Sequence, residues 1–234
     1  MFPYCSIIFF MATIVGIGMT LKLFFVWKSG RNENIGYFFR AMAIATVYFF
    51  LSALPGTVVK DPTFAAVIYI LAWIPLYMAL FYFTRLALHF WGLERMKNVL
   101  LGVILFLIIF TTIFNFVYFS PTEIKAYKSF SVCFERSPSW VLKLSGIAAS
   151  LLLLINSILF LRGGIMSREK NTKIRGLMIG GGLLSVALSV FLKYVAASYW
   201  QETRVFIFYS APLFLFGILV IYFGIQYKRK ENEQ

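Results

Sequence analysis

No acidic residue lies inside any of the long apolar runs of this 234-residue chain. All nine (Glu33, Asp61, Glu94, Glu123, Glu135, Glu169, Glu202, Glu231 and Glu233) fall in connections, at the edges of runs or in the last residues. Proton pumps and cation-coupled transporters bury a carboxylate in the membrane to hold the coupling ion, so that machinery is not expected here. Retinal chemistry is disfavoured by similar gaps. The third run offers no acidic counter-ion, and the seventh offers no lysine for a Schiff base. Histidine occurs once, as His89, and cysteine twice, as Cys5 and Cys133. That is too little for a structural zinc site, which takes four ligands, or for paired-histidine haem ligation. No metal and no cofactor are expected. Without a His, Asp or Cys cluster in the apolar runs, acid–base and metal catalysis lack their groups, and no enzyme is expected.

Charge of either sign is also scarce. Only 13% of residues are charged, against about 25% in an ordinary soluble domain. Hydrophobic residues make up 61% and aromatic ones 19%, with a mean hydropathy of +0.83. A soluble fold of this size leaves too much surface in water to hide so many apolar groups. A bilayer core about 30 Å thick removes the difficulty and takes about 20 apolar residues per helix. Seven runs qualify: residues 4–27, 37–59, 63–91, 99–119, 140–161, 174–199 and 205–227. Helices are preferred to strands, because the runs are unbroken and lipid demands that each backbone group be satisfied within its own segment. The expected fold is an all-α, integral membrane seven-transmembrane-helix bundle, one domain over residues 1–234, embedded in the lipid bilayer of the cell membrane.

The connections are short and marked by turn formers: Gly30, Asn32 and Asn34 after the first run, Pro62 at the start of the third, and Gly163-Gly164 at the opening of the fifth-to-sixth connection. The longest loop is expected over residues 120–139. The net charge of +13 comes from 22 Lys and Arg. Seven of these, Lys60, Lys125, Lys128, Arg136, Lys143, Lys193 and Arg204, fall on one side of the expected membrane, and the other fifteen on the opposite side. The basic-rich side is the cytoplasmic one, which puts the N-terminus outside and the C-terminus inside. Such an alternation orients a protein in a membrane and does not build a nucleic-acid-binding face. No basic leader precedes the first run, so no cleaved signal peptide is expected.

Lys193 is the deepest cation. At 100° per residue it shares a narrow stripe of the sixth helix with Arg175, Gly182, Ser185 and Ser189. It has two readings: it presents a charge to an anionic ligand in an outward cavity, or it snorkels to the headgroups. On the third helix Tyr69, Trp73 and Tyr77 recur every fourth residue around Pro75. They either wall a pocket or pack the core. Asn115 on the fourth helix and Asn156 on the fifth line a cavity or hold helices together. Arg85 and His89, with Arg168, Lys170, Lys173 and Arg175, are candidates to meet a cytoplasmic partner or lipid headgroups. Gly176, Gly180, Gly181 and Gly182, and the heptad-spaced Ser210, Gly217 and Gly224, form small seams for close helix approach. Trp27, Trp91, Trp140 and Trp200 suit the aromatic belts. Cys5 and Cys133 share the outer side, where a disulfide is permitted; Cys5 can equally be a small buried hydrophobe.

The short first helix–loop–helix, the aromatic third helix ending Tyr82-Phe83-Thr84-Arg85, and the start of the sixth at Lys173-Ile174-Arg175-Gly176-Leu177-Met178-Ile179-Gly180 carry a resemblance. They resemble the seven-transmembrane N-terminal sensor region of bacterial histidine kinases. The likeness would cover nearly the whole chain, but here without an output domain, since the sequence stops after Lys228-Arg229-Lys230-Glu231-Asn232-Glu233-Gln234. It implies a sensor or receptor-like signalling module that binds a small or lipidic ligand and acts through a separate cytoplasmic signalling partner. A transporter or channel without carboxylate coupling and a membrane scaffold are the alternatives.

Overall fold

The computed structural model describes residues 2–127, 131–136, 139–196 and 203–227. Trp200, Lys128, residues 197–199 of the sixth run and the basic residues 228–230 lie outside them. Among the described residues, seven helices are each long and apolar enough to cross a membrane. They are α1 (Tyr4–Gly30), α2 (Glu33–Thr57), α3 (Pro62–Phe90), α4 (Lys97–Val117), α5 (Trp140–Met166), α6 (Lys170–Phe191) and α7 (Thr203–Gln226). The protein is thus an all-α seven-helix bundle of multi-pass membrane type.

Local chemistry sets the helix ends. Arg31 takes a left-handed conformation (φ 46°) to close α1, and Asn32 caps α2, its side-chain oxygen accepting from the Asn34 and Ile35 amides. The Asp61 carboxylate accepts from the Phe64 amide at 2.6 Å, and Pro62 occupies the first turn of α3, where a missing N–H costs nothing. Two expected boundaries need correction. The second run does not stay helical to residue 59, because Pro55 (ψ 125°) and Gly56 (φ 86°) form a tight turn. Those angles match a type II turn, whose second position favours glycine. Gly163-Gly164 does not open a connection. It lies within α5, because the bare Gly164 backbone packs against Gly176 of α6.

Residues 120–139 are not simply a loop. β2 (Thr122–Tyr127) and β3 (Ser131–Arg136) pair antiparallel, and β1 (Phe2–Pro3) adds in parallel to β3, giving the order β1-β3-β2. This sheet caps one end of the bundle, touching α1, α2, α3 and α7. Cys5 and Cys133 are joined by a disulfide across 128 residues, with Tyr4 and Phe206 packed around it. We call this the hairpin end and the opposite one the basic end.

The helices form a closed ring in the order α1-α2-α3-α5-α6-α7, with α7 returning to α1. α4 lies outside this ring against α3 and α5, and only 17% of its span is buried. Its buried residues, Ile104, Thr111 and Asn115, mark one narrow face. The tightest seams are α5 on α6 and α6 on α7. A Cβ on Gly176 would lie 2.7 Å from Gly164 Cα, and one on Gly182 would lie 2.6 Å from the Gly217 carbonyl oxygen. Lipid provides no hydrophobic drive between helices, so such van der Waals approach carries the association.

Candidate functional site

α6 does not continue as an α-helix at the hairpin end. Leu192–Ala196 form a π-helical turn, a wide turn often found at functional sites. It directs the side chains of Lys193 and Tyr194 toward α1, α3 and α5. Gly146 of α5 makes room for it, since any Cβ there would run into Tyr194 Cβ.

The Lys193 ammonium stands 5.5 Å from the centre of the Phe9 ring, 5.9 Å from that of Tyr69 and 5.4 Å from that of Tyr194. Trp73 packs on Tyr194 at 5.2 Å and stacks on Tyr77 at 5.8 Å. Rings from α1, α3 and the π turn therefore surround one half-buried cation. Among the described residues, no carboxylate and no hydrogen-bond acceptor meets it. Cation–π attraction is worth about 0.5–2 kcal/mol per ring. Among the described residues, none of the three N–H donors of the ammonium meets an acceptor.

The structure gathers some of the expected site residues and disperses others. Lys193, Tyr69 and Trp73 come together. Tyr77 adjoins them, but its hydroxyl donates to the Ser145 carbonyl at 3.0 Å, tying α3 to α5. Ser189 donates to the Ser210 carbonyl at 2.7 Å, joining α6 to α7, and Ser185 donates within α6 to Gly181 at 3.2 Å. Asn115 donates to the Thr111 carbonyl at 2.7 Å; Thr111 in turn meets the Ser145 hydroxyl at 3.1 Å. Asn156 donates to Thr84 of α3 at 2.8 Å and to the Leu152 carbonyl at 2.8 Å. Tyr77, Thr111, Asn156 and Ser189 thus tie neighbouring helices together, while the bonds of Ser185 to Gly181 and of Asn115 to Thr111 stay within α6 and α4. Phe9 and Tyr194 were not singled out in the sequence. In a chain with 27 Phe and 13 Tyr nothing distinguishes them until the π turn is known.

Beyond Phe9, at the bundle centre, lies an apolar-walled cavity of about 40 Å³. Tyr48, Phe49, Leu76, Val190, Phe214 and Ile218 line it among others. It could hold a few waters by size, at about 10–15 Å³ each, but a site without polar partners stays dry. Phe9 packs on Phe214 at 5.0 Å and on Tyr48 at 6.0 Å. Phe9, which lies against the ammonium, thus packs on two residues of the cavity wall.

At the basic end the Arg85 guanidinium lies over the Tyr37 ring at 4.4 Å, with Arg40 at 5.9 Å, and Arg162 lies over Trp91 at 4.5 Å. Arg175 donates through Nε to the Tyr227 carbonyl at 2.9 Å, and Lys22 donates to the Gln226 side chain. Both cations thereby sit at the C-terminal end of α7, where the helix dipole favours positive charge. Arg168 is exposed on the α5–α6 connection, and Lys170 and Lys173 are exposed in the first turn of α6. His89 lies near the end of α3.

These features define the class: an all-α, multi-pass membrane protein with an aromatic-walled cation at its hairpin end. The chain matches no protein-family model, no curated protein and no solved structure.

Proposed function

We propose that the protein is a sensor or receptor-like module whose hairpin end faces outward from the cell membrane. A small or lipidic anion binds at Lys193, and helix displacement is passed to a separate cytoplasmic partner at the basic end. The observation that carries this reading is the Lys193 ammonium, which is surrounded by ring faces and meets no acceptor among the described residues. A half-buried cation that meets no counter-ion among the described residues carries a desolvation cost, and an arriving anion relieves it. The charge asymmetry of the sequence supports the orientation. The resemblance to histidine-kinase sensor regions supports the signalling role.

The test is a saturable change in fluorescence on adding small anions to the protein in zwitterionic nanodiscs, with Trp73→Phe as the background. The response should vanish in Lys193→Gln and survive in Lys193→Arg. A response indifferent to both substitutions would refute the reading. A second reading, a membrane scaffold, is favoured by a different observation: Asn156, Ser157 and Ser189 each bond to a neighbouring helix, and the central cavity is small. A scaffold would show no saturable anion response and would co-purify with a partner in mild detergent whether or not Lys193 is intact.

A further inference from the structure

The position of the apolar cavity relative to Lys193 narrows the ligand. We infer that the site takes a single-chain amphiphilic anion, with its carboxylate or phosphate head on the Lys193 ammonium and the first methylenes of its tail in the central cavity. This rests on the proposed anion site at Lys193 and adds the class of ligand. Val190 lines the cavity and Lys193 follows three residues later on the same helix, a rise of about 4.5 Å. The head and the start of the tail are thus served by consecutive turns. Phe9 stands between them, with its ring 5.5 Å from the ammonium and packed on Tyr48 and Phe214 of the cavity wall. Moving this side chain together with Tyr48 or Phe214 of the wall joins the two compartments. The cavity has no polar partner for water, so an entering hydrocarbon displaces little that is well bound. Its volume of about 40 Å³ admits a few methylenes of one chain, not the paired tails of a phospholipid.

The experiment uses the full chain in phosphatidylcholine nanodiscs and compares acetate, hexanoate, octanoate and decanoate, with neutral decanol as the partitioning control. The same series is repeated with inorganic phosphate and octyl phosphate. Each buried methylene adds about fourfold in affinity, so the wild type should bind the longer anions progressively tighter and reach a plateau when the cavity is full. Lys193→Gln should weaken octanoate at least tenfold and leave the decanol response unchanged. Ala45→Phe fills the cavity and should abolish the chain-length dependence while keeping weak acetate binding; Ala79→Leu serves if Ala45→Phe does not elute as a monodisperse species. Acetate binding as tightly as octanoate would overturn the amphiphile inference and leave the anion site standing, as would chain-length dependence that persists in the filled cavity. Octanoate binding unchanged in Lys193→Gln would overturn both. Discs made with phosphatidylglycerol separate the sources. Undiminished octanoate affinity there supports a free single-chain ligand, and loss of octanoate binding to the resident lipid overturns it.

Discussion

Replacing Gly182 by alanine should destabilise the bundle, although alanine is the better helix former. The reason is the distance between two backbones. A Cβ on Gly182 would lie 2.6 Å from the Gly217 carbonyl oxygen, 2.6 Å from Ile221 Cγ1 and 3.0 Å from the Ile221 nitrogen. Two of these three are backbone atoms, so no rotamer change clears them. Ordinary carbon contacts start near 3.5 Å, and α6 must part from α7 by about 0.5–1 Å to reach that separation. A gap of this size forfeits a quarter to a half of each dispersion well along the seam. Overpacking of this kind costs about 1–3 kcal/mol. The gain of about 1 kcal/mol from helix propensity offsets part of this, leaving a net loss of up to about 2 kcal/mol. Gly181→Ala is the internal control: its Cβ would meet nothing within 4 Å, so it gains propensity and should be neutral or stabilising. Gly217→Ala should behave like Gly182→Ala, with its Cβ 2.7 Å from the Gly182 carbonyl oxygen. One separation of α6 from α7 relieves both clashes, so the double variant should lose less than the sum of the singles. Unfolding midpoints in mild detergent measure all four variants. Gly182→Ala matching Gly181→Ala, or strict additivity in the double variant, would refute the seam.

Breaking the disulfide with Cys133→Ser should cost about 2–5 kcal/mol, as expected for a long cross-link, and reductant should lower the wild-type midpoint without moving that of the variant. Asn156→Ala should cost about 0.6–1.7 kcal/mol through its bond to Thr84. A cycle with Thr84→Val should show coupling, and independent effects would mean that the 2.8 Å contact carries nothing. Asp61→Ala should cost about 1 kcal/mol and raise hydrogen exchange in the first turn of α3 alone; faster exchange spread along the whole helix would count against a purely local cap. Arg175→Ala should raise exchange at the last turn of α7 by removing its bond to the Tyr227 carbonyl, with no change at Lys193.

The seven helices are legible in the sequence because lipid imposes one rule on every span. Unbroken apolar length and internal hydrogen bonding suffice to find them. Their ends follow local rules that an apolar count ignores. Pro55-Gly56 sits inside an apolar run yet turns the chain, while Gly163-Gly164 looks like a break and stays helical because Gly164 needs a bare partner surface at Gly176. The hairpin carries a signal of its own, which the count of apolar runs does not register. Thr122, Ile124 and Ala126 alternate with polar neighbours, and Val132 and Phe134 do so in the facing strand, at the two-residue period of a sheet. The Lys193 stripe on α6 gave the cation but not its surroundings. A π turn rotates residues 192–196 off the 100° wheel, so Lys193 leaves the stripe of Ser185 and Ser189, which bond to Gly181 and to Ser210 of α7, and Phe9, Tyr69 and Tyr194 surround the ammonium. No residue pattern within α6 signals that turn. Part of its cause lies 48 positions away at Gly146, where the absent side chain admits Tyr194.

α6 links the two ends of the molecule, carrying Arg175 at one and Lys193 at the other, about 27 Å apart at helical rise. Its behaviour under load differs along that length. Over the basic half it is clamped on two sides: Gly176 and Gly180 close on α5 at Gly164 and Leu161, and Gly182 closes on α7 at Gly217. Backbones this close cannot slide without collision, so α5, α6 and α7 move as one body there. Toward the hairpin end the glycine seam with α7 gives way to the Ser189–Ser210 hydrogen bond, and the hydrogen-bond ladder widens into the π turn, where Tyr194 packs on Gly146 of α5. A change in the position of Lys193 is therefore either absorbed by that turn reverting to α geometry, or passed on as a tilt of the clamped trio. Close-packed interfaces favour discrete alternatives over gradual bending. On the proposed reading, the arrival of an anion selects between the two. The tilt would then emerge at the last turn of α7, where Arg175 and Lys22 hold the end of the helix.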